Sequence, residues 1–130
     1  MSFRLPRFPM LTIFHNPKSE VSSQALKLLV QASAKYEFKV DVIDKPTPPP
    51  THQQVSSIVE FLGKGSVDQG CREILTTDAP KASTVAEVQK ILDQNPGYMR
   101  KPLIVDWNKG KAIVADPATK VSEMVKNVGE

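Results

Sequence analysis

The stretch from Leu11 to Ile43 constrains the fold of this chain most, because a helical pattern lies there between two strand patterns. Leu11–His15 is a short run rich in β-branched and aromatic residues, and it ends at Asn16-Pro17, a pair typical of a turn. Apolar residues then recur at helical spacing as far as Lys35, with Ser22 or Ser23 as the expected N-cap. Alternating apolar and charged residues in 38–43 predict a second strand, which favours a right-handed βαβ unit with parallel strands.

The rest of the chain predicts further helices and one β-hairpin. In chain order these are a stiff proline-rich loop at 45–50, helices at 51–63, 67–75 and 83–95, strands at 102–107 and 111–114, and a last helix at 118–127. Gly63 is expected to end the helix at 51–63. The helix at 67–75 has the least regular pattern, because it contains Gly70. The order β-α-β-α-(α)-α-β-β-α predicts an α/β fold with a four-stranded mixed sheet between two helical layers, as in thioredoxin.

Composition indicates one soluble globular domain spanning residues 1–130, with 1–9 as a flexible arm. No apolar run approaches the length of a membrane span. The net charge of +3 is slight, and basic residues do not cluster with aromatic ones, so nucleic acid is not expected as a partner. One cysteine and two histidines predict neither an internal disulfide nor a metal site. The first ten residues carry two arginines and no acid, a composition compatible with a mitochondrial address.

Several phrases in this order resemble the glutaredoxin-dependent arsenate reductase and Spx family, which has a thioredoxin-like fold. They are Phe14-His-Asn-Pro-Lys-Ser19 with the helix after it, Ile43-Asp-Lys-Pro46, Phe61-Leu-Gly63 and Arg100-Lys-Pro-Leu-Ile-Val105. Shorter phrases at 1–3, 88–90 and 105–107 resemble the small fungal mitochondrial redox proteins, a related thioredoxin-like family. The resemblance implies a three-layer thioredoxin-like fold, a mitochondrial location and an oxidoreductase that reduces small molecules.

The same resemblance places the reactive residues, and several do not match. The nucleophilic cysteine of the arsenate reductases falls at Ser19, so arsenate reduction is not expected. The oxyanion-binding arginines are matched only at Arg100 or Lys101, and the peptide bond before Pro102 is implied to be cis. The active cysteine of the fungal redox proteins falls at Ile91.

His15 and Asn16 stand beside Ser19, where the first strand meets the first helix. Ligands of open α/β sheets bind at this edge, and the helix N-terminus favours an anion. The alternative is that both side chains organise the loop through hydrogen bonds.

Cys71 is the only residue able to perform thiol chemistry. Arg72 beside it would lower the thiol pKa, and Glu73 would cancel that effect. A single thiol must work by a monothiol route, through a mixed disulfide with glutathione or a protein partner. The alternative is a small buried apolar residue on a short helix.

Two functions follow. In the first, the chain is a mitochondrial monothiol oxidoreductase that acts through Cys71, with glutathione as the one candidate cofactor; it requires an accessible thiol of lowered pKa. In the second, the chain is a pseudoenzyme, a thioredoxin fold that binds a partner within a larger mitochondrial complex. The second predicts that Cys71→Ser retains function.

Overall fold

The computed structural model describes residues 10–45 and 49–126. In chain order its strands and helices are β1 (Met10–Phe14), α1 (Glu20–Tyr36), β2 (Lys39–Ile43), α2 (His52–Gly63), α3 (Val67–Ile74), α4 (Val85–Gln94), β3 (Leu103–Asp106), β4 (Lys111–Val114) and α5 (Val121–Val125). The expected arm at 1–9, the middle of the proline-rich loop and the end of the last predicted helix lie outside the described residues. None of the described helices is both long and apolar enough to cross a bilayer.

The predicted four-stranded mixed sheet is confirmed, with the strand order β2-β1-β3-β4. β1 runs parallel to β2 and antiparallel to β3, and β3 pairs antiparallel with β4. Phe14, the last residue of β1, lies opposite both Ile43 and Leu103. The loop that follows β1 therefore meets the residues that immediately precede β3.

Side chains that alternate along the strands give the sheet two apolar faces. Ile13 and Ile104 point to the face covered by α1 and α5. Leu103 and Val105 point to the opposite face, which α2, α3 and α4 cover. This arrangement is the helix–sheet–helix layering expected from the sequence.

The first helix begins earlier than predicted. Ser19 is its N-cap and accepts a hydrogen bond from the Ser22 backbone N–H at 3.2 Å. Neither Ser22 nor Ser23 caps it, because the Ser19 side chain already accepts the free backbone N–H of Ser22. Glu20 in the first turn complements the helix dipole. Thr51 caps α2 and Thr84 caps α4, and both form complete capping boxes.

The two glycines in the α2–α3 pair have a different role from the one predicted. Gly63 is the last residue of α2, and the left-handed cap is Lys64, with φ of 50°. A Cβ at Gly70 would overlap the backbone carbonyl of Val59, and one at Gly63 would lie 2.9 Å from the Gly70 nitrogen. Both glycines therefore allow α3 to lie directly against α2.

Candidate functional site

The loop between β1 and α1 is held in one conformation by His15 and Ser22. The His15 backbone N–H donates to the Ile43 carbonyl at 2.8 Å, which continues the pairing of β1 with β2. The Ser22 hydroxyl lies 2.7 Å from His15 Nδ1 and accepts the Asn16 backbone N–H at 2.9 Å. His15 is only 8% exposed. The histidine thus has the loop-organising role that was one of the two predicted alternatives.

Ser19 stands where the resemblance places a nucleophilic cysteine, and here it is a helix cap. Its hydroxyl oxygen accepts the Ser22 N–H. His15, the neighbouring base, is hydrogen-bonded to Ser22 instead. A serine nucleophile needs a base that takes its proton, so this geometry does not make Ser19 a nucleophile.

Arg100 and Lys101 precede β3, and their side chains lead to different parts of the molecule. The Arg100 guanidinium donates to the Leu75 carbonyl from Nε at 3.0 Å and from Nη2 at 2.7 Å. Lys101 instead lines a cavity beside His15. The Lys101–Pro102 peptide bond is cis, the geometry that the resemblance implies.

A cavity of about 480 Å³, here called the loop cavity, separates the β1–α1 loop from Lys101. His15, Asn16 and Lys18 form one wall, and Met99 and Lys101 form part of the other. Asp44 is the only acidic residue among the described residues that line it, against two lysines. The loop cavity therefore carries a net positive charge, which suits a small anion.

Lys101 is a half-buried cation that has no partner among the residues that the structure describes. Its ammonium forms no ion pair or hydrogen bond with the described residues 10–45 and 49–126. Burial lowers the pKa of Lys101, because the charged form has lost part of its hydration. An anion in the loop cavity would restore the interaction that the lysine lacks.

Cys71 lies in a different place and does not meet the requirement of the oxidoreductase hypothesis. Its side chain is fully buried at the wall of a second cavity of about 620 Å³, which Arg100 also lines. Burial raises the pKa of the Cys71 thiol, and the charges of Asp68 and Glu87 raise it further. Arg72, expected to lower that pKa, pairs with Asp68 at 3.4 Å. The predicted accessible thiol of lowered pKa is absent from this site, because burial opposes the thiolate.

Ile91 and Trp107 have structural roles. Ile91, at the position of the fungal family's cysteine, packs half-buried against the core. Trp107 is half-buried; its indole N–H donates to Thr12 Oγ1 at 2.9 Å, and its ring meets Phe61 edge-on at 6.3 Å.

The sequence did not indicate that Ser22 and Asp44 belong to the site, or that Lys101 rather than Arg100 lines the loop cavity. The sequence predicts Ser22 as a helix cap, although a separation of seven residues from His15 is one that a loop can close. The choice between Arg100 and Lys101 depends on the pairing of Phe14 with Leu103, a long-range register that no local pattern encodes.

Comparisons with known proteins agree with this fold. The sequence model of a family described as "Protein of unknown function (DUF1687)" matches residues 3–116. Among solved structures, an arsenate reductase from Vibrio cholerae is similar, with a TM-score of 0.66 and 20% sequence identity over 89% of this chain and 98% of that chain. No curated protein sequence matches the chain. At this identity the likeness establishes the thioredoxin-like fold and nothing finer.

Proposed function

The chain belongs to the DUF1687 family, and on that premise we propose that it is a thioredoxin-like protein of mitochondrial redox metabolism that binds a small anion in the loop cavity. One observation carries the binding role: the half-buried Lys101 lines the same cavity as His15 and Asn16 and has no carboxylate partner among the described residues. Ser19 stands where the resemblance places the reactive thiol, and it caps α1. The protein therefore binds a ligand here without forming a disulfide.

The ligand class follows from the charge of the loop cavity. A buried cation is unfavourable unless it is paired, so an anion gains more from Lys101 than it would from an exposed lysine. The similar structure is named as a reductase of an oxyanion, which supports the same ligand class.

The redox and mitochondrial parts of the proposal have separate support. The phrases shared with the fungal mitochondrial redox proteins support both, and the basic composition of residues 1–10 supports the location. A full-length chain with a fluorescent protein at its C-terminus is expected to co-localise with a mitochondrial dye. A uniform distribution through the cell would contradict the location.

A second candidate function is monothiol reduction through Cys71, and one observation favours it. Cys71 is among the residues that line a cavity of about 620 Å³, together with Arg72 and Arg100. The Cys71 thiolate would attack one sulfur of oxidised glutathione, form a mixed disulfide and release the other half as glutathione thiolate. The raised pKa of Cys71 opposes the first step.

Inorganic phosphate, followed by amide NMR of the full chain, separates the two functions. Phosphate is expected to shift the amide signals of His15, Asn16 and Lys101, and Lys101→Met is expected to abolish the shifts. Lys90→Met, which removes an exposed lysine from α4, is the charge-matched control and retains them. Cys71→Ser is expected to bind phosphate like the wild type. Unchanged binding by Lys101→Met would contradict the binding role, and glutathione-dependent disulfide reduction that Cys71→Ser abolishes would favour the second function.

A further inference from the structure

The loop cavity adjoins a third cavity, at the end of the sheet, which is here called the apolar cavity. It has a volume of about 440 Å³ and shares Asp44, Met99 and Lys101 with the loop cavity. The Lys101 side chain therefore stands at the junction of the two spaces. A ligand that places its negative group on Lys101 can extend from there into the apolar cavity.

Carbon atoms dominate the wall of the apolar cavity. Phe14 and Met99, which are 4% and 3% exposed, belong to the buried core and contribute to the wall, and Ile43 and Pro50 stand beside them. Such a wall favours an apolar group because it removes that group from water without offering it hydrogen bonds.

The polar groups on the same wall are already engaged with each other. Thr51 and Gln54 form the capping box of α2, in which the Thr51 N–H donates to Gln54 Oε1 at 2.9 Å and the Gln54 N–H donates to Thr51 Oγ1 at 3.2 Å. The hydroxyl and the amide oxygen therefore stabilise the helix start. They do not compete for the ligand's head group.

The charges around the junction favour a single negative group. Lys18, Lys45 and Lys101 line the two cavities, against Asp44 as the acid. We propose that the ligand of this site is an organic monocarboxylate with an apolar body, whose carboxylate binds Lys101 and whose body lies against Phe14, Ile43 and Met99. This inference rests on the proposed anion-binding function and adds the apolar half of the ligand to it.

A chain-length series of carboxylates tests the inference. Acetate, butyrate and hexanoate are titrated into the full chain, with 1-hexanol as the neutral analogue, and amide NMR reports binding. The affinity is expected to rise along the series, with hexanoate at least about tenfold tighter than acetate, since each buried methylene adds to binding. The shifts are expected to spread from His15 and Lys101 to Ile43 and Met99 as the chain lengthens.

Variants test the contacts of the two ends of the ligand one at a time. Ile43→Gln is expected to reduce the gain in affinity from acetate to hexanoate, because it replaces part of the apolar wall with a polar side chain. Asp44→Asn is expected to tighten all three carboxylates, because it removes the nearest negative charge. Lys101→Met is expected to abolish binding of the three, while the exposed Lys90→Met control binds as the wild type does.

Three outcomes would overturn the inference. Equal affinity for acetate and hexanoate, with binding of both lost in Lys101→Met, would contradict the apolar half and leave the anion-binding function intact. Tighter binding of 1-hexanol than of hexanoate would contradict the carboxylate. Failure of phosphate and of every carboxylate to bind would contradict the proposed function together with the inference.

Discussion

At the scale of single residues, local hydrogen bonds fix the β1–α1 loop against the start of α1. Ser19 and Ser22 stand at that helix start, and both hydroxyls accept backbone N–H groups. Ser22 also contacts His15, so one hydroxyl connects the loop, the helix and the histidine ring. These bonds hold the loop in place beside the cavity that Lys101 lines.

Ser22→Ala is expected to reduce the free energy of unfolding by about 1–2 kcal/mol, because the substitution leaves the Asn16 N–H and the buried His15 ring without their shared partner. Urea unfolding measures this change. Ser23→Ala is the matched control, because Ser23 follows Ser22 in α1 but is exposed. It is expected to change the free energy of unfolding little. Equal loss in the two variants would contradict the role given to Ser22.

The buried thiol predicts a pH dependence of stability. The pKa of Cys71 is raised in the folded protein, so the unfolded chain loses its proton first as pH rises. The Cys71 contribution to stability is therefore lost progressively above about pH 8.5, the ordinary thiol value. Cys71→Ala removes this titration, and its unfolding free energy is expected to fall less steeply between about pH 8 and 10. Parallel curves for the two proteins would contradict a raised pKa.

At the scale of elements, the glycine pair between α2 and α3 shapes the wall that holds Cys71. Gly70→Ala is expected to cost about 3 kcal/mol, since its Cβ would overlap the Val59 carbonyl and force the helices apart. Thermal and urea unfolding both report this loss. Val67→Ala, on the exposed side of the same helix, is the control and is expected to change stability little. A stable Gly70→Ala protein with native NMR shifts at Val59 would contradict the close contact.

Local patterns predicted most elements because their signals are local. Thr51 and Thr84 each precede a glutamine or glutamate by three residues, and this spacing alone predicts a capping box. The start of α1 was mispredicted because three serines, at 19, 22 and 23, all suit an N-cap. Only the position of the preceding strand decides among them, and it selects Ser19.

At the scale of the whole molecule, the site is built from three segments that are distant in sequence. The β1–α1 loop, the end of β2 and the residues before β3 converge because β1 lies between β2 and β3 in the sheet. The strand order could be predicted from the succession of elements. That Lys101 rather than Arg100 lines the loop cavity could not be predicted, since it depends on the long-range register that pairs Phe14 with Leu103.

The pKa of Lys101 tests the central claim most directly, because the claim concerns a half-buried cation that an anion neutralises. NMR of the lysine ε-carbons follows its titration in the free protein and with saturating phosphate. Free Lys101 is expected to titrate below the ordinary lysine value, in line with its burial. Phosphate is expected to raise the pKa of Lys101, since the bound anion favours the charged form. A Lys101 pKa that phosphate leaves unchanged would contradict anion binding in the loop cavity.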